Sequence, residues 1–177
     1  MSSSIDSQET PKFADLEICR LEGADLPALD ALMRANVPVF SEEECRTAVA
    51  MMEESLAQPE DDDPYRFILA KRRGRLVGFA CYGTVPLTQG SFDLYWIAVE
   101  PAAQGRGVGQ WLLRQCEADM VSLGGRLVMA ETSSRSDYTP ARRFYERATG
   151  FERVACIADF YRPGENKLIY LKRLTGP

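Results

Sequence analysis

The chain has 177 residues, 45% of them apolar and 27% charged, with a formal net charge of −5. That suffices for one globular domain with its own core, and it is too acidic for a face that neutralises nucleic-acid phosphates. It contains no histidine, which removes Ser-His-Asp and Cys-His catalysis and any histidine-based metal site.

Residues 1–12 are polar and lack the apolar run of a signal peptide, and 1–13 read as a disordered tail before a domain over 14–177. Leu16-Glu17-Ile18-Cys19-Arg20 alternates as a first strand. Asp25 is placed to cap a helix with Pro27 in its first turn, ending near Asn36 because Val37 precedes Pro38. Ser41 and Glu44 have capping-box spacing, and a second helix follows to about Ala57. The acidic segment 59–64 reads as a solvated connector or as a lure for a cationic substrate.

Strands over 65–71 and 75–85 flank a tight turn at Arg72-Arg73-Gly74. Another covers 91–99. Its alternation puts Phe92, Leu94, Trp96 and Ala98 on one face and Asp93, Tyr95, Ile97 and Val99 on the other. From Gly107 a helix carries Val108, Leu112, Cys116, Met120 and Leu123 as an apolar stripe, stopped by Gly124-Gly125. A strand over 127–132, a helix over 139–148, and strands over 151–158 and 168–174 complete the domain. This order predicts an α/β domain, a mixed sheet with helices on both faces. Cys19, Cys45, Cys81, Cys116 and Cys156 form no CxxC pair and are odd in number, which suits buried thiols in a reduced, cytoplasmic chain. No stretch approaches the roughly 20 apolar residues of a membrane span.

The chemistry concentrates between Ile97 and Leu113, where a strand leads through a glycine-rich turn into a helix. Such a turn aims backbone N–H groups and the helix dipole at one spot, which suits a phosphate. The glycines fit neither the Walker A pattern nor the GxGxxG of dinucleotide folds. Gln104-Gly105-Arg106-Gly107-Val108-Gly109 does match the Q/R-x-x-G-x-G/A signature of the GNAT N-acetyltransferases. Ala141-Arg142-Arg143-Phe144-Tyr145-Glu146, followed by Gly150-Phe151, is similar to a second segment of that family.

The resemblance implies a mostly antiparallel sheet of six to seven strands, and acetyl-CoA as co-substrate without a metal. Its pantetheine arm would enter between two splayed strands, 91–99 and 127–132. Ile97, Ala98 and Val99 would meet that arm. Gln104, Gly105, Arg106, Gly107, Val108, Gly109 and Gln110, with Arg142 at the CoA phosphates, would hold the rest. Tyr145 matches the tyrosine that reprotonates the CoA thiolate. Asp93 falls where one branch of the family carries its carboxylate base, with Glu131 and Glu100 as alternatives. Two departures stand out: Tyr138 replaces a usual asparagine, and four residues rather than three separate Tyr145 from Gly150, which predicts an extra residue or bulge at the helix end. The acceptor site falls between the loops at 36–40 and 159–164, giving Phe40, Tyr95, Glu131, Asp159 and Tyr161 as substrate contacts. The acceptor is then the primary amine of a small molecule or peptide, with no nucleic-acid or membrane partner; a homodimer is common in the family. The rival readings are a non-catalytic acyl-CoA-binding regulator and a transferase for alcohols or longer acyl groups.

Overall fold

A computed structural model describes residues 13–36, 39–58 and 63–174. All of the expected tail except Phe13, and most of the acidic connector, lie outside the described residues; Phe13 itself packs against Trp111, ring centroids 6.1 Å apart, as part of the domain. Seven strands form one sheet in the order β1-β2-β3-β4-β5-β7-β6. They are β1 (Leu16–Arg20), β2 (Tyr65–Arg72), β3 (Arg75–Thr84), β4 (Ser91–Val99), β5 (Leu127–Ser133), β6 (Glu152–Arg162) and β7 (Glu165–Arg173). Helices α1 (Leu26–Ala35) and α2 (Glu42–Ala57) lie between β1 and β2 in sequence, and α3 (Val108–Ser122) and α4 (Thr139–Arg143) flank β5. Every neighbouring pair is antiparallel except β4 and β5, which α3 connects as a crossover.

Each sheet face has its own core. One cluster gathers Leu29, Met33, Cys45 and Met52 from α1 and α2 against Phe67, Leu69, Phe79 and Cys81. The other gathers Leu112, Cys116 and Met120 of α3 with Tyr145 and Phe151 against Tyr82, Phe92, Val128 and Tyr170. The stripe read on α3 is buried as expected except for Leu123, which is exposed just beyond the last turn. Cys45, Cys81 and Cys116 are buried and Cys156 is exposed.

Local sequence explains most element ends. Ser41 caps α2 through its hydroxyl, 3.1 Å from Glu44 N–H, while Glu44 reaches back to the Ser41 N–H at 2.7 Å. Arg73 and Gly74 turn β2 into β3 with φ of 51° and 74°. Asp25 does not cap α1. It closes a capping box with Glu22 around a 3-10 turn (Gly23–Asp25), and its carboxylate pairs with Lys71 at 2.7 Å.

The regular alternation expected along β4 fails at one residue. Cys81 pairs with Trp96 and Tyr82 with Leu94, so Tyr95 is an inserted residue, a β-bulge. The bulge reverses the facing of everything after it. Ile97 and Val99 pack on the same cluster as Phe92 and Leu94, whereas Trp96 and Ala98 pack on the opposite one. The last strands also differ in extent. β6 runs to Arg162, so the loop expected at 159–164 is largely an irregular strand ending in a short turn. The helix end carries the extra residue that the Tyr145–Gly150 spacing predicts: Phe144–Ala148 is a π-helical turn, the usual way to absorb one residue.

Candidate active site

β4 and β5 pair only from Ser91–Leu127 to Leu94–Ala130, although they continue to Val99 and Ser133. Beyond that point β4 follows β3, as far as the Gly78–Val99 pair, and β5 follows β7, as far as Ser133–Lys167. The bulge at Tyr95 bends β4 where the two strands part. A cleft of about 530 Å³ opens in the gap, within the usual size of a small-molecule site. Because β5 is absent from this edge of β4, polar backbone of Tyr95–Val99 is presented to the cleft.

The glycine loop closes one end. Gly107 is the N-cap of α3 at φ 87°, and Gly105 has φ 70°, conformations that cost glycine little. The first helical bond is Trp111 N–H to Gly107 O at 3.0 Å, so the Val108 and Gly109 N–H groups point out of the helix start. Gly109 serves packing: a Cβ there would stand 3.2 Å from the Phe144 ring. The Gln104 side-chain amide donates to Val99 O at 2.9 Å and to Asn36 Oδ1 at 2.7 Å. Asn36 in turn donates to Leu32 O at 2.9 Å, which fastens the loop to the ends of β4 and α1.

Of the cofactor residues expected from the sequence, Ile97, Ala98, Val99, Gln104, Gly105, Gly107, Gly109 and Gln110 line the cleft. Arg106 is exposed on the loop, and the Val108 side chain is buried beneath it. Arg142 lies elsewhere. Its guanidinium donates to Ser133 O at 2.9 Å, Arg135 O at 2.6 Å and Thr139 Oγ1 at 2.8 Å, clamping the turn between β5 and α4.

Tyr145 lines the cleft from the side of α4 and is nearly fully buried. Its ring meets Phe144, Phe151 and Tyr170 with centroids 5.3–5.5 Å apart. Burial, then the neighbouring Tyr170, pushes its phenol well above the ordinary tyrosine range, so it holds its proton more tightly than a solvated tyrosine.

Among the acceptor residues, Phe40, Tyr95 and Glu131 line the cleft; Asp159 and Tyr161 do not. Asp159 sits at φ 53° and organises the β6–β7 end, accepting from Gly164 N–H at 2.7 Å. Tyr161 is exposed beside Phe160. Asp93 is half-buried on β4, paired with Gly83 and Met129, just outside the lining. Burial raises its carboxyl, Glu131 adds to the rise, and Lys167 opposes it. Lys167 also forms an ion pair with Glu131.

Three lining residues carry more than the sequence disclosed. Glu44, read as a capping residue, also accepts from the Tyr138 hydroxyl at 3.3 Å, bridging α2 to the turn before α4. Tyr138 faces the cleft, with its phenol raised by burial and then by Glu44. Thr132 contributes a buried hydroxyl. Among the described lining residues, Glu44 and Glu131 are the charged ones, and Lys167, from outside the lining, pairs with Glu131. A second groove, of about 610 Å³, lies between α3 and the end of β7, where Lys172 pairs with Glu117 at 2.6 Å. It lacks the open strand edge and the helix start.

The family model of the Acetyltransferase (GNAT) family matches residues 29–151. N-alpha-acetyltransferase RimI of Mycobacterium tuberculosis (strain ATCC 25618 / H37Rv) is 30% identical over 156 residues, covering 84% of this chain and 92% of the relative. A crystal structure of a protein assigned to the GNAT acetyltransferases from Desulfovibrio desulfuricans superposes with a TM-score of 0.84 at 37% identity, over 90% of this chain and 99% of that one. The ribosomal-protein-S18-alanine N-acetyltransferase of Escherichia coli has a TM-score of 0.70 at 22% identity, over 92% and 96%, a likeness of fold alone.

Proposed function

The chain belongs to the GNAT family and is an acetyltransferase, and from that premise we propose that it moves acetyl from acetyl-CoA to the N-terminal α-amine of a peptide or protein, by direct attack with both substrates bound. The observation that carries this reading is the cleft itself. It joins an open strand edge, a glycine-rich helix start, a buried tyrosine and two glutamates. The relative whose printed name is an N-alpha-acetyltransferase supports the choice of amine.

The residues fit acetyl-CoA, whose thioester supplies an activated acetyl group. The Val108 and Gly109 N–H groups hold the pyrophosphate, with the helix dipole behind them. Backbone of Ile97 to Val99 pairs with the pantetheine amides as a missing strand would. The lining glutamates attract a cationic amine, and Glu131 accepts its proton. Asp93, the nearer match to the family's strand carboxylate, is electrostatically coupled to Glu131 and keeps the local potential negative. Tyr145 donates its proton to the departing sulfur.

The amine class follows from the weak bases available. An α-amine has a pKa of about 7.7–8.0, so roughly a tenth or more is neutral at pH 7. For lysine, at about 10.4, that fraction is below about one in a thousand. A chain without histidine is better matched to the first. The presence of both Tyr145 and Glu131 in one cleft speaks against a purely regulatory binder.

The test is thiol release from acetyl-CoA across free-N-terminus peptides, blocked peptides and small polyamines. Selective release with free N-termini supports the reading; release only with small amines, or with none, overturns it.

A further inference from the structure

Thr132 is on β5, two residues beyond Ala130, where the pairing with β4 ends. It lines the cleft, is 6% exposed, and its hydroxyl oxygen is buried without a hydrogen-bond partner among the described residues. Its neighbours on the strand are satisfied: Ser133 donates to Glu165 at 2.6 Å, and Glu131 pairs with Lys167. Valine has nearly the shape of threonine and the same preference for strands. A buried hydroxyl left unbonded is a net loss to the fold, so folding alone favours valine at this position.

The strand alternation places Thr132 on the face of Val128 and Ala130, whose cluster also contains Tyr145. The hydroxyl is therefore on the β5 wall, across from the open edge of β4, on the sheet face whose cluster Tyr145 joins. Resting on the function proposed above, we propose that Thr132 is a second-wall binding residue for acyl-CoA. Its hydroxyl bonds an amide of the pantetheine arm. The arm is then held from both sides: by backbone on β4 and by one side chain on β5.

The experiment compares Thr132→Val and Thr132→Ser with the wild type, using acetyl-CoA titrated by calorimetry and melting of the ligand-free protein. Thr132→Val should bind acetyl-CoA about tenfold more weakly, the effect of one lost hydrogen bond, and should melt at a higher temperature when ligand-free. Thr132→Ser keeps the hydroxyl and should bind within about twofold of wild type. Unchanged acetyl-CoA affinity in Thr132→Val overturns the assignment. So does an equal loss in Thr132→Ser, which would make the effect one of packing. A lower ligand-free melting point for Thr132→Val also overturns it, because the hydroxyl would then be satisfied within the fold. If the wild type itself fails to bind acetyl-CoA, the functional reading falls and this inference with it; wild-type binding with an unaffected valine variant removes this inference alone.

Discussion

The ring of Tyr145 lies against that of Tyr170, with centroids 5.3 Å apart and planes 28° from parallel. Tyr170 is anchored in turn, donating its hydroxyl to Glu146 Oε1 at 2.8 Å. With Phe144 and Phe151 at its edges, Tyr145 is fixed by packing on several sides. Tyr145→Phe preserves all of those contacts and removes only the oxygen. Turnover should fall at least about tenfold, the usual scale for a lost proton donor, while acetyl-CoA affinity stays within about twofold. Steady-state rates beside calorimetric binding check this, and unchanged turnover removes Tyr145 from the chemistry.

The same pair predicts an alkaline instability. Burial and then the bond to Glu146 raise the Tyr170 phenol to about 12, from 10.0. Folded Tyr170 thus keeps its proton where the unfolded chain loses it. Its contribution is intact below pH 10.0 and is lost as pH rises toward about 12. Urea unfolding across that range should show declining stability, and Tyr170→Phe should flatten the decline by one proton's worth of slope. An unchanged slope would mean that Tyr170 titrates alike in both states.

The two carboxylates near the acceptor should separate by assay. Glu131→Gln should lower turnover at least about tenfold at neutral pH, with the deficit shrinking as pH passes the α-amine pKa of about 7.7–8.0. Asp93 has a raised pKa, so its ionised form is the one that the fold disfavours. Its favourable contribution is present below the ordinary 3.8 and is lost as pH rises through the higher folded value. Asp93→Asn should therefore be more stable than wild type at pH 7, and the gain should vanish in acid. A turnover loss in Asp93→Asn larger than in Glu131→Gln would exchange their roles.

Gly107 holds the left-handed conformation at the start of α3. Gly107→Ala should cost about 1–2 kcal/mol of stability and weaken acetyl-CoA binding by tilting the first helical turn. Denaturant unfolding and calorimetry measure the two effects; a neutral substitution on both counts would detach the loop from the phosphate site.

The glycine loop was legible because its need for positive φ and an open helix start is written in the residues themselves. The π-helical turn was legible as one surplus residue before Gly150. The facing of Ile97 and Val99 was not, because a strand's alternation is local while the bulge at Tyr95 is set by register against β3. Arg142 could not be placed from sequence either: whether a guanidinium meets solvent, phosphate or a carbonyl depends on how the β5–α4 turn folds back, here onto Ser133 and Arg135. Thr132 gave no signal at all, since an unbonded hydroxyl is evident only once its surroundings are known.

One measurement tests the central claim most directly. A peptide with a free N-terminus and an internal lysine is incubated with the protein and acetyl-CoA, and tandem mass spectrometry locates the added acetyl group. Acetyl on the α-amine, absent when Tyr145→Phe replaces the wild type over the same short incubation, is the predicted result. Acetyl on lysine alone, or a peptide left unmodified while small amines are acetylated, would contradict it.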